Sequence, residues 1–110
     1  MKDSGVIIET TTNSEETALN IINNLLESRK AACVHASNIE SHYWWNGGIA
    51  RDKEIKLSIK TVKSKAYEVI LAIKSLHNYS LPEIIQINID EASSEYIAWL
   101  AKETKQPIAH

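Results

Sequence analysis

Apolar and polar positions alternate in two rhythms along the chain, and the switches between them mark its elements. Val6 to Thr11 is a β-branched run with Gly5 ahead of it, which predicts a first strand. Asn13 and Ser14 then offer helix caps, with Glu16 in the first turn. From Ala18 the apolar residues recur at three- and four-residue steps through Ile21, Ile22, Leu25 and Leu26, and the stripe ends near Ser28, Arg29 and Lys30. That spacing lays one apolar face along a helix able to cover a sheet.

An extended stretch from Ala32 to about Trp45 follows, closed by Asn46-Gly47-Gly48, a sequence that tolerates the positive φ angles of a tight hairpin turn. On the return strand Ile55, Leu57 and Ile59 point one way while Lys56, Ser58 and Lys60 point the other. Each arm is near thirteen residues long, against ~5–6 for an ordinary strand, so the hairpin is expected to overhang its domain. A second helix from near Ser64 carries Ala66, Val69, Ile70, Ile73 and Leu76 on one stripe and stops around His77-Asn78. After Pro82, Ile85, Ile87 and Ile89 alternate with Gln86, Asn88 and Asp90, and Ser93-Ser94 cap a short helix with Tyr96, Ile97 and Leu100.

The order β-α-β-β-α-β-α predicts an α+β, ferredoxin-like fold: a four-stranded antiparallel sheet with a long hairpin, both crossover helices on one face, and a further C-terminal helix. The other face is expected to be bare and to present Lys56, Ser58, Lys60, Gln86 and Asn88, with a neighbouring subunit available to cover part of it and to pair the overhanging strand edges.

At 110 residues, 44% hydrophobic and 24% charged, the chain reads as a single domain over 1–110 that needs neither disulfide nor structural metal for its core. A net charge of −2 with basic residues scattered among acidic ones gives no dense positive face, which argues against a nucleic-acid partner. Apolar runs are far short of the ~20 residues that cross a bilayer, and the start of the chain shows no signal peptide, so no membrane association is expected. One cysteine, Cys33, requires no oxidising compartment, and a cytoplasmic setting is the expectation.

Metal ligation calls for convergent thiol, imidazole or carboxylate groups, and the nearest pair is Cys33 with His35, two apart on a strand and therefore on one face. A free cysteine packed as a small hydrophobe is the competing reading. His77 sits at a helix end, where capping competes with ligation. His42, in the run His42-Tyr43-Trp44-Trp45, reads as a solvated or interface histidine rather than a ligand, and the terminal His110 is expected to be mobile. The aromatics beside the turn suit packing against another subunit better than stacking on a nucleobase. Glu83 offers a carboxylate at a strand entrance and Lys60 a cation on the polar sheet face, each with a plain solvated alternative. No catalytic triad order, phosphate loop or nucleophile elbow stands out, so no enzymatic activity is expected.

Taken together, Ala31-Ala32-Cys33-Val34, Tyr43-Trp44-Trp45-Asn46-Gly47-Gly48-Ile49, Ile59-Lys60-Thr61, the run from Leu76-His77-Asn78-Tyr79 through Ser80-Leu81-Pro82-Glu83-Ile84-Ile85, and Tyr96-Ile97-Ala98-Trp99-Leu100 resemble the CutA divalent-cation tolerance family, from Val6 to about Leu100. The resemblance implies a homotrimer whose long strands complete sheets between subunits, and a cytoplasmic protein linked to copper tolerance that requires no cofactor but takes up divalent metal ions such as Cu²⁺. It also implies an intersubunit pocket to which Cys33, Lys60, His77, Tyr79 and Glu83 correspond, with Trp44 and Trp45 nearby. The expected metal ligands are thus Cys33, His35, His77 and Glu83. This chain departs from the family pattern at Asn78 and Ser80, where proline and glutamate are usual, and at His35, where asparagine is usual. Two other readings accompany the metal one: a regulatory trimer similar to PII-type signalling proteins, against which the tight Asn46-Gly47 turn counts, and an enzyme using Lys60, His77 and Glu83 as acid–base groups.

Overall fold

In a computed structural model, which describes residues 3–105, the first strand β1 (Gly5–Thr12) runs one residue further at each end than its β-branched run predicts. Ser14 then turns the chain: its backbone is extended, and its hydroxyl accepts the Thr17 N–H at 3.1 Å, a cap worth about 1 kcal/mol. The helix it starts, α1 (Glu15–Glu27), buries Thr17, Ala18, Ile21 and Leu25 along one stripe. Arg29, at φ 60, provides the left-handed step that ends it.

The hairpin is as long as expected, with 13 residues in β2 (Cys33–Trp45) and 15 in β3 (Gly48–Val62). Asn46 (φ 49) and Gly47 (φ 80) both take positive φ, the pair of angles that lets a two-residue turn follow the twist of its strands. A short 3-10 turn, Lys63–Lys65, precedes α2 (Ala66–Leu76), and β4 (Ile84–Asn88) and α3 (Ser94–Glu103) complete the described residues. Ser93 caps α3 through the Tyr96 N–H.

The sheet order is β2-β3-β1-β4, antiparallel throughout, which is the ferredoxin-like arrangement. Helices α1 and α2 pack on one face, where Val6, Ile8, Leu57 and Ile59 meet Ala18, Ile21, Leu25, Val69 and Ile73 in a buried core. β1 stops at Thr12 opposite Ile55. Beyond that point residues 39–45 and 48–54 form a two-stranded ribbon with both edges unpaired, and the chain is drawn out to 51 × 33 × 20 Å.

The register corrects one expectation. Asn88 pairs with Val6 and Gln86 with Ile8, so both lie on the helix-covered face and not beside Lys56, Ser58 and Lys60. Ile85 and Ile87, opposite Glu9 and Ile7, stand on the second face instead, each more than two-fifths exposed. Alternation within β4 was read correctly, but periodicity alone cannot say which of a strand's two faces meets the helices. The second face is also not wholly bare. Gly5 lies on it, where a Cβ would come within 2.9 Å of Ile97 Cδ1 and 3.3 Å of Leu100 Cδ1, so α3 lies across the end of the sheet that a larger residue would hold away.

Candidate metal site on the second sheet face

Because β2 and β3 pair Cys33 with Lys60 and His35 with Ser58, four polar side chains share the second face where α3 leaves it open. The Lys60 ammonium lies 2.8 Å from His35 Nδ1. On the neighbouring strand Glu9 accepts the Ser58 hydroxyl at 2.9 Å and approaches Lys56 at 3.7 Å. From α3, Tyr96 stacks on Trp99 with ring centroids 5.7 Å apart, and burial, then the nearness of Cys33, push the Tyr96 phenol up. Sulfur and imidazole side by side are soft and borderline donors, a set that suits copper or zinc better than magnesium or calcium. Two protein donors fall short of the four of a closed zinc site, so any ion held here would draw further ligands from water or from a second subunit.

His77 belongs to a different arrangement. Its Nε2 faces the Thr11 carbonyl at 2.9 Å and its Nδ1 faces the Tyr79 N–H at 3.0 Å. A carbonyl only accepts and an amide N–H only donates, so the ring is the neutral Nε2–H tautomer with both nitrogens engaged. The next two residues extend this clasp. Asn78 accepts the Thr12 hydroxyl at 2.6 Å and donates to Asn13 Oδ1 at 2.8 Å. Those two bonds restrain a loop that lacks the proline usual in the resembling family. Tyr79 reaches past the end of β1 and donates to Glu54 Oε2 at 2.7 Å; burial first, then this bond and the Glu54 charge, push its phenol up. His77, Asn78 and Tyr79 together bind the end of α2 to the end of β1 and the base of the hairpin.

Lys60 pairs with Ile7, four residues along β1 from Thr11, a span of about 14 Å. Cys33 and His77 are therefore not brought together within one chain, and neither are the acid–base residues Lys60, His77 and Glu83. Glu83 is exposed just ahead of β4. Among the described residues, no group of three or more His, Cys, Asp and Glu side chains is placed to hold a metal ion. Trp44 and Trp45 stand at the hairpin tip, 75% and 54% exposed, while His42 contacts Glu40 at 2.9 Å and Tyr43 donates to Asp52. His110 lies outside the described residues. An open cleft of about 640 Å³ lies at the hairpin base, between the start of α1 and Asn38, Glu40, Lys53 and Glu54. It is separate from the Cys33 cluster.

Sequence reasoning passed over Glu9 and Glu54, and read Asn78 only as a departure from the family pattern. Glu9 had a signal, as the lone charge inside an apolar β-branched run, but Glu54 and Asn78 acquire their roles only through residues 25 and 66 positions away.

The sheet order and the two helices on one face define a ferredoxin-like α+β protein. The chain belongs to the CutA1 divalent ion tolerance protein family, whose pattern matches residues 6–103. It is 37% identical to the divalent-cation tolerance protein CutA of Pyrococcus horikoshii over 101 residues, covering 92% of this chain and 99% of that one. The CutA of Thermotoga maritima is 38% identical over 86% of this chain and 94% of its own. Among solved structures, the divalent ion tolerance protein CutA1 from Ehrlichia chaffeensis superposes with a TM-score of 0.90 at 31% identity, covering 96% of this chain and all of that one. Named compartments vary among these proteins: a rice relative is described as chloroplastic, and an Archaeoglobus fulgidus CutA structure as periplasmic. No helix among the described residues is long and apolar enough to cross a membrane.

Proposed function

We propose that this chain is a cytoplasmic, non-enzymatic member of its family that acts in tolerance of divalent cations. As a homotrimer of single-domain subunits, it binds a soft or borderline ion, Cu²⁺ foremost, at Cys33 and His35 on the second sheet face. The observation that carries the proposal is the thiol and imidazole on one face of β2, on the same side of the sheet as two exposed isoleucines of the far edge strand, Ile85 and Ile87. The single cysteine favours a reducing compartment.

Trimerisation draws support from three features: the open edges of the hairpin ribbon, the exposed Trp44, Trp45 and Ile49 near its tip, and the half-covered sheet face. In that assembly Glu83 of a neighbouring subunit is the available carboxylate. His77 acts as a clasp beside the pocket, since ligation would cost it the Tyr79 N–H. Lys60, Tyr79 and the tryptophans line the same intersubunit region.

Titration of the reduced protein with Cu²⁺, and with redox-inert Zn²⁺, tests the site. Cys33→Ala and His35→Ala are each expected to weaken binding at least about tenfold, the loss of one of two protein ligands. Parent-like affinity in both variants would remove the assignment.

A second reading, a regulatory trimer that binds a small metabolite, is favoured by the open cleft beside Glu40, Lys53 and Glu54. It predicts metal affinity that is indifferent to Cys33.

A further inference from the structure

Beyond Thr12 the hairpin ribbon has no third strand beside it, so its direction is set where it leaves the sheet. Ile55 still faces Thr12, and Glu54 is the first residue of β3 past the end of β1. Glu54 is 8% exposed, although Asp52 and Lys53 just ahead of it are open to solvent. A buried carboxylate is costly unless it is hydrogen-bonded, and here the donor is the Tyr79 hydroxyl at 2.7 Å. Among the described residues, no other side-chain hydrogen bond or ion pair joins the ribbon to the rest of the chain. The His42–Glu40 and Tyr43–Asp52 contacts both lie within it.

Tyr79 is itself held. Its N–H donates to His77 Nδ1, its ring lies against the His77 ring with centroids 4.9 Å apart, and His77 Nε2 donates to the Thr11 carbonyl. Asn78, between the two, is bonded to Thr12 and Asn13. The loop is thus fixed on the last residues of β1, and one bond passes from it to the first residue of the ribbon. The lever beyond that bond is long: residues 39–45 reach roughly 24 Å at ~3.4 Å per residue, so a swing of about 10° carries the tip about 4 Å. A displacement of that size takes Trp44 and Trp45 out of any close-packed contact.

We infer that Tyr79 is a positioning residue for assembly: by holding Glu54 it fixes the angle at which the ribbon leaves the sheet, and so where Trp44 and Trp45 meet a neighbouring subunit. The consequence for assembly rests on the trimer reading given above. Control of the ribbon's direction does not.

Tyr79→Phe keeps the ring beside His77 and removes only the hydroxyl. In weakly aligned solution, the backbone N–H dipolar couplings of ribbon and sheet in the parent are expected to fit one alignment frame. In Tyr79→Phe the couplings of residues 40–53 are expected to shrink or to require a second frame, while those of β1, β4 and the helices stay as they were. In light scattering over a dilution series, the Tyr79→Phe trimer is expected to dissociate at a concentration at least about tenfold above the parent's, the effect of losing one hydrogen bond to a charged group. Glu54→Gln keeps an acceptor for the hydroxyl, so its ribbon couplings are expected to match the parent's and its dissociation to stay within about threefold.

Parent-like ribbon couplings in Tyr79→Phe would overturn the inference, whether or not assembly weakens. Ribbon couplings that change as much in Glu54→Gln would overturn it too, because the bond is retained there. If the ribbon moves while the trimer dissociates as the parent does, the assembly role is wrong. Should Tyr79→Phe fail to fold, Glu54→Leu removes the acceptor from the ribbon side, leaves the loop intact and is read in the same way. A parent that stays monomeric at every concentration removes the trimer reading, and the couplings then decide the control of the ribbon on their own.

Discussion

A chain whose hairpin is cut back to Glu40 and Lys53, with Asn-Gly joining them, is expected to run in light scattering at the mass of one shortened protomer, while the proposed trimer of the parent is expected at three times its own 12.4 kDa. The cut removes the ribbon beyond the reach of β1 and with it Tyr43, Trp44, Trp45 and Ile49, all exposed in the single chain. Three aromatic side chains at roughly 150–250 Å² each, about half of it uncovered, give on the order of 300 Å² of surface to bury. At about 25 cal/mol per Å² that is roughly 7 kcal/mol gross per protomer, enough to decide assembly against the cost of association. Every buried core residue lies outside the excised segment, so the shortened chain keeps its far-ultraviolet signature of mixed helix and sheet. A shortened chain that still forms trimers would show that the sheet face alone holds the subunits together.

Leu57→Ala is expected to cost about 3 kcal/mol of unfolding free energy, read by urea at fixed protein concentration so that assembly does not enter the comparison. Leu57 is fully buried at the centre of β3, directly opposite Thr10 of β1 and Ala36 of β2. Its removal leaves a cavity between the sheet and the two helices. The loss is the transfer free energy of the deleted atoms plus a cavity term, and the site has little room to collapse because its small neighbour Ala36 cannot fill it. Thr10 is relevant here: its hydroxyl is buried without a hydrogen-bond partner among the described residues. A water entering the space beside it would satisfy that oxygen and pull the cost toward the low end of the ~2–5 kcal/mol range for such truncations. A change below about 1 kcal/mol would mean that Leu57 is not in the core.

The fold was legible because its elements are written locally. The three-four spacing from Ala18 to Leu26 marks α1, Ser14 supplies a cap, and Asn46-Gly47 has the two residues that accept positive φ. What periodicity could not convey was which face of β4 looks inward. Gln86 and Asn88 read as the polar side of a strand, yet register places them over the helices at the edge of the sheet and turns Ile85 and Ile87 outward. A polar residue at a sheet edge can remain hydrated on either face, so the alternation carries no sign.

The site was legible to a lesser degree, for a related reason. Cys33 and His35 are two residues apart on one strand, and a period of two suffices to place them together. Lys60 joins them through strand pairing, which the hairpin turn fixes once Asn46-Gly47 is recognised. His77 was readable as a helix-end residue but not as a clasp, because its partners come from Thr11 on another element and from the backbone of its own loop. The loop also shows how this chain manages without the usual proline: Asn78 supplies two side-chain hydrogen bonds to Thr12 and Asn13 in place of a rigid ring.

The most direct test of the account is where copper goes. In crystals of the reduced protein soaked with Cu²⁺ and examined by anomalous scattering, the account predicts a copper peak between Cys33 Sγ and the His35 ring. Copper found only at His42 on the hairpin, with Cys33 and His35 unliganded, would contradict it.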